Sequence, residues 1–132
     1  MNDIQLTSDQ ISRIEAAGLS VEQIKAERIE IEKMYDGLIG RLLDYHAEAD
    51  HALVRKAFEY AYNSHLLQRR KSGEPYIIHP VGVATLVTQL KLDEASICAA
   101  LLHDVVEDTD ATRQDIVDAF GEEIANLVDA LT

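Results

Sequence analysis

Basic residues are outnumbered two to one, 12 lysines and arginines against 24 acidic residues, and cysteine occurs once in 132 positions. A single cysteine excludes a disulfide framework within the chain. Cys98 sits between Ile97 and Ala99 in an apolar helical stretch, which marks a buried thiol and not a nucleophile. The formal charge of −12 argues against nonspecific nucleic-acid binding, because phosphate backbones are held by spread lysines and arginines. One basic cluster, Arg69-Arg70-Lys71, leaves room for a small polyphosphate. No apolar run approaches the roughly 20 residues of a membrane span. The amino terminus is polar and acidic, where a secretory signal would be basic and then apolar. The expected location is therefore the cytoplasm, with no membrane partner. Strand-type alternation, internal repeats and low-complexity segments are also missing.

What remains is a helical pattern on a chain about one domain long. Nearly half the residues, 47%, are apolar, enough for a real core. Thr7 with Gln10 and Ser20 with Gln23 have capping-box spacing, and Gly18 falls where the first helix would stop. These signals predict a short helix near 8–17 and a longer one from about 21, with Gly37 and Gly40 weakening its far end. Residues 1–45 are read as an N-terminal helical extension that packs on the rest of the chain and carries no chemistry. Asp50 can cap a helix whose one face holds Val54, Ala57, Phe58, Ala61, Tyr62 and His65. The Gly and Pro of Gln68 to Pro75 then mark a loop. Pro80 starts the next helix, with Val83, Leu86, Val87 and Leu90 on its buried side. Asp93 caps a helix running through Ile97, Leu101, Leu102 and Val105 to about Asp108. Thr112 and Asp115 begin a short helix ending before Gly121, and Glu122 to Thr132 form the last. The expected fold class is an all-α bundle of about six or seven helices.

Chemistry concentrates in Leu101-Leu102-His103-Asp104-Val105-Val106-Glu107-Asp108-Thr109, where four metal-competent side chains interrupt an apolar helix. Residues four apart on a helix lie on nearly the same side, so His103 is expected to stack with Glu107 and Asp104 with Asp108, forming a strip able to face one ion. Imidazole and carboxylate together suit a divalent cation such as Mn²⁺, Fe²⁺ or Zn²⁺. Such an ion lowers the pKa of bound water and screens phosphate charge. Taken alone, however, the pair also reads as a hydrogen-bonded core histidine beside a solvated helix end. His65 alone reads as a satisfied core histidine. His46 and His51 flank a polar junction and read as exposed, while His79 stands between Ile78 and Pro80 directly after the basic loop.

The run Arg70-Lys71-Ser72-Gly73-Glu74-Pro75-Tyr76-Ile77-Ile78-His79-Pro80 is followed, 24 residues after His79, by His103-Asp104-Val105-Val106-Glu107-Asp108-Thr109. Together they resemble the hydrolase half of RelA/SpoT homologues, within the HD-type metal-dependent phosphohydrolases. Phe120-Gly121 and Leu127-Val128-Asp129 continue the likeness, which spans roughly residues 50–132. The resemblance implies an HD-domain-like helical bundle, with residues 46–132 as a partial hydrolase domain. It also implies removal of the 3′-pyrophosphate of (p)ppGpp to give GDP or GTP and pyrophosphate, in alarmone degradation, with Mn²⁺ or another divalent metal. By matched position, His79, His103 and Asp104 would be metal ligands. Glu107 and Asp108 would position or activate the attacking water. Arg70, Lys71 and Ser72 would lie beside the guanine or phosphates, and His65 matches a histidine that recurs before the loop without contacting the metal.

The family's fourth metal ligand, an aspartate several helices beyond the His-Asp pair, falls past Thr132. Ala130 also replaces a usual glycine. The favoured expectation is a bundle truncated at its C-terminus, a piece of a longer hydrolase. The other is a short form completed by water, another side chain or a neighbouring subunit. Ile124, Leu127, Val128 and Leu131 form an apolar edge expected to drive self-association. The alternative function is a noncatalytic nucleotide-binding or regulatory module that keeps the HD fold but lacks the fourth ligand.

Overall fold

The structure is a computed structural model, and it describes residues 5–132; the first four residues of the expected extension lie outside that range. Local signals start most helices where the caps predict. Thr7 and Gln10 form a reciprocal capping box at α1 (Ser8–Ala16), and Ser20 accepts from the Gln23 amide at α2 (Val21–Tyr45). Gly18, at φ 74°, turns the chain between them in the left-handed region that glycine tolerates. Asp50 caps α3 (His51–Ser64), and Asp93 caps α5 (Glu94–Leu102). Between these lie α4 (Ile78–Val87) and a 3₁₀ turn, Thr88–Leu90. A single helical turn, α6 (Val105–Asp108), precedes α7 (Arg113–Phe120), which carries a second full capping box from Thr112 and Asp115. The last helix is α8 (Glu122–Leu131). No strand occurs among the described residues, and Arg69 with Pro75 makes an isolated bridge.

The core is organised around α5. From Ala95 to Leu102 every residue but Ser96 is buried, so this helix is apolar all round and is covered by α3, α4 and α8. Phe58, Leu38, Leu42 and Ile14 join the same buried cluster, so α1 and α2 contribute to one core with the later helices. A charged layer ties α2 to α3. Glu32 accepts from Arg28 at 2.7 Å and from Arg55 at 2.7 Å, and Arg28 also donates to Glu59 at 2.9 Å. The Arg28 guanidinium lies 4.2 Å from the centroid of the Tyr62 ring. Burial alone would raise the Glu32 carboxyl, but the two arginines hold it below its ordinary value.

Three expectations change. The far end of α2 stays helical through Gly37 and Gly40, because Leu38 and Leu42 beside them are fully buried and packing outweighs propensity. On α4 the buried residues are Pro80, Val81 and Ala84, followed by Thr88, while Leu86 is 62% and Leu90 70% exposed. Nearly every residue of α4 is apolar, so periodicity cannot choose its inward face. The helix from Asp93 does not run unbroken to Asp108 but opens at His103 and Asp104. His103 Nδ1 bonds the Ala100 carbonyl at 2.6 Å, the acceptor that the Asp104 amide would use in a continuous helix. Cys98 is fully buried, and burial pushes its thiol up to about 12, as its apolar neighbours imply. Val87, Leu90, Leu92, Leu127 and Leu131 line an open apolar groove of about 240 Å³ beside α8.

Candidate metal centre

Two breaks in the helical pattern meet in space. His79 stands in the first turn of α4, and His103-Asp104 forms the two-residue opening between α5 and α6. Asp104 Oδ2 lies 3.1 Å from His103 Nε2 and 3.4 Å from His79 Nε2, and the two imidazole centroids are 5.5 Å apart. One donor atom from each residue falls within 4.8 Å of the other two. Because the Ala100 carbonyl can only accept, His103 Nδ1 carries a proton and Nε2 is the ring nitrogen turned to this cluster. The Asp104 side chain is only 14% exposed, whereas that of His79 is 33% exposed, so the cluster opens on the His79 side.

On that side lies an open pocket of about 560 Å³ lined by Gln68, Arg69, Arg70, Lys71, Ser72, Tyr76 and His79. The loop is closed by hydrogen bonds from the Arg70 amide to the Glu74 carbonyl and from the Tyr76 amide to the Gln68 carbonyl. Gly73 turns it at φ 93°. The basic triplet divides. Arg69 is committed to Glu27 of α2, at 3.0 and 2.5 Å, and to the Gly73 carbonyl, so it braces the loop. Arg70, Lys71 and Ser72 are exposed, and Arg70 lies 6.0 Å from the Tyr76 ring centroid with Glu74 at 3.8 Å. The remaining expected residues lie at the rim. Glu107 is exposed on α6 and, with Asp108, falls outside the three-donor group. Asp108 Oδ2 accepts from the Tyr76 hydroxyl at 3.1 Å, and the same hydroxyl donates to Asp104 Oδ2 at 2.8 Å.

His65 is buried behind the site, as its place on the α3 face implied. Its Nδ1 meets Gln68 Oε1 at 2.8 Å, its Nε2 has no partner among the described residues, and its ring lies 4.8 Å from that of Tyr76. Burial holds this imidazole below the ordinary histidine value, although Gln68 opposes the shift. For Tyr76, burial first and then the bond to Asp104 push the phenol up, so it stays a hydrogen-bond donor. His46 pairs with Glu94 at 3.3 Å, and His51 is exposed; neither belongs to the three-donor group.

The profile of the HD domain family matches residues 57–132, which takes in all three donors and the pocket loop. This chain belongs to the HD domain family. Among its relatives, the GTP pyrophosphokinase of Myxococcus xanthus is 50% identical over 88 residues, covering 67% of this chain and 12% of that protein. The probable guanosine-3′,5′-bis(diphosphate) 3′-pyrophosphohydrolase of Synechocystis is 57% identical over 84 residues, or 64% and 11%. A probable GTP pyrophosphokinase of Mycobacterium leprae is 38% identical over 126 residues, 96% of this chain and 16% of that one. A solved structure of a metazoan ortholog of SpoT, described as hydrolysing ppGpp, superposes with a TM-score of 0.58 at 39% identity. It covers 61% of this chain and 48% of its own. This chain thus spans between about a tenth and a sixth of the length of those curated relatives, and the RelA/SpoT likeness read from its motifs stands.

The chemistry of His79, His103 and Asp104 fits a cation. Two imidazole nitrogens and one carboxylate oxygen make a mixed donor set for a borderline divalent metal, and three donors leave positions open for water and substrate oxygens. In this HD domain the least legible participant is Tyr76. It stands three residues before His79, with nothing in the local pattern to say that its hydroxyl reaches Asp104, 28 positions away. No helix among the described residues is long and apolar enough to cross a membrane.

Proposed function

We propose that this chain carries the site for metal-dependent hydrolysis of (p)ppGpp, releasing pyrophosphate from the 3′ position and leaving GDP or GTP. The observation that carries the reading is the three-donor cluster of His79, His103 and Asp104 opening onto a basic, aromatic-walled pocket. The HD membership and the relatives named for this chemistry support it. When bound, a divalent metal, for which Mn²⁺ is our choice, supplies an activated water and counter-charge for phosphate oxygens. His79, His103 and Asp104 would hold it, with His103 fixed in the correct tautomer by the Ala100 carbonyl. Asp108 and Glu107, on the turn after Asp104, orient the attacking water and accept its proton. Arg70 and Lys71 bind the guanine and phosphates, since the planar guanidinium can stack on a purine or clamp a phosphate, and Ser72 adds a hydroxyl. In the balanced reaction the water oxygen ends on pyrophosphate, the bond to the ribose 3′ oxygen breaks, and that oxygen gains a proton.

The test is release of GDP and pyrophosphate from ppGpp by the Mn²⁺-loaded chain. The parent should turn over, and His103→Ala should reduce the rate at least a hundredfold, about the scale of a lost metal function. Absence of turnover in a sample shown to contain metal refutes hydrolysis by this chain. The three-donor set also suits a noncatalytic nucleotide-binding module. Calorimetric binding of ppGpp without product, unchanged in His103→Ala, would establish that second reading.

A further inference from the structure

We infer that Tyr76 is the positioning residue of this centre, acting on the metal site through Asp104 and on the attacking water through Asp108; the inference rests on the reading of Asp104 as a metal ligand and Asp108 as a water-orienting carboxylate. One phenolic hydroxyl meets Oδ2 of Asp104 at 2.8 Å and Oδ2 of Asp108 at 3.1 Å. Two carboxylates brought to one point repel each other, and a shared O–H donor offsets that repulsion while fixing their separation. Asp104 has further contacts with His79 and His103. Asp108 is exposed, and among the described residues the Tyr76 hydroxyl is the sole hydrogen-bond partner of its side chain. Without that hydroxyl the water-orienting group is free to rotate into solvent.

The donor is itself held from several directions. The Tyr76 amide donates to the Gln68 carbonyl at 3.0 Å, and the Tyr76 carbonyl accepts from the His79 amide at 2.9 Å. Its ring lies 4.8 Å from the buried His65 ring and 5.7 Å, nearly edge-on, from that of His79. Gln68 also fixes the His65 imidazole through Nδ1. The pocket loop thus sets the ring, the ring sets the hydroxyl, and the hydroxyl sets Asp108 against Asp104. Supporting partners of this kind commonly contribute about 10- to 100-fold to metal affinity or activity.

Tyr76→Phe keeps the ring and removes the bridge. Against the parent it should weaken Mn²⁺ binding by calorimetry about tenfold and lower kcat for ppGpp by about 10- to 100-fold, leaving KM unchanged. Its metal-free melting temperature should stay at the parent value, since the packed ring is retained. On an Asp108→Asn background, with Mn²⁺ saturating, the same change should cost no further kcat, because residues acting as one unit are not additive. Parental Mn²⁺ affinity in Tyr76→Phe, or losses that multiply in the double variant, would overturn the assignment. If the parent binds Mn²⁺ but does not hydrolyse ppGpp, the proposed reaction fails while the affinity comparison still decides the role of Tyr76. A parent that binds no Mn²⁺ overturns both.

Discussion

His65 illustrates how one side chain can be placed correctly and still be incompletely understood. Its spacing on α3 predicted an inward ring, and it is 2% exposed. The neutral imidazole, bonded to Gln68 through Nδ1, leaves Nε2 in a dry environment where a second proton would have no acceptor. Its ordinary value is 6.5, and burial lowers it in the folded state. Below that ordinary value the unfolded chain therefore takes up a proton that the folded one refuses. The stabilising contribution is whole above about pH 6.5 and is lost as pH falls through the lower folded value. Urea unfolding of the metal-free protein should show stability declining from about pH 7.5 to about pH 5.5, with a shallower decline in His65→Phe. Equal slopes would show that another group controls the transition. Among the site residues, the His-Asp pair and His79 were legible because their motif spacing is specific. Tyr76 was not, because its contacts join residues 28 and 32 positions apart and exist only once the helices have packed.

For single elements, caps were more legible than faces. Thr7 and Thr112 bond within their own first turn, so four residues of sequence contain the whole interaction. The inward side of α4 depends on α2, more than thirty residues earlier, and on α5, the next α-helix, and a helix apolar on nearly every side carries no phase information. The two-residue opening after α5 was hidden for a related reason. It follows from a side-chain bond to the helix's own carbonyl, which helical periodicity does not encode. Gly37 and Gly40 mark the opposite case, a local weakness overridden by the buried leucines of α2. A methyl group added at Gly40 meets nothing within 4 Å. Gly40→Ala should therefore raise unfolding free energy by about 1 kcal/mol, measurable in urea. A destabilised variant would mean that the glycine serves a conformational need.

Across the whole molecule, the centre joins elements that the chain separates by more than twenty residues, so metal binding and folding should be linked. A cation held by His79 and by His103-Asp104 would clamp the start of α4 to the α5–α6 junction. Mn²⁺ at about a hundred times its dissociation constant should stabilise the folded chain by about 2.7 kcal/mol. Thermal melting should report this as a rise reversed by chelator and absent in His79→Ala. A melting temperature indifferent to Mn²⁺ in the parent would remove the link. Composition made the helical, acidic character of the molecule legible. It carried no information on how a charged layer between α2 and α3 would be neutralised, since the burial of Arg28 and Glu32 is explained only by Arg55 and Glu59 beside them.

That α2 reaches the functional loop has a practical consequence for anyone trimming the chain. A clone started at residue 57, where the family match begins, would discard Glu27 and strand the Arg69 guanidinium without its counter-ion. It would also strip Ile24 and Ile31 from the wall beside His65. The shortened product would retain His79, His103 and Asp104 yet lose part of the scaffold that holds the neighbouring loop.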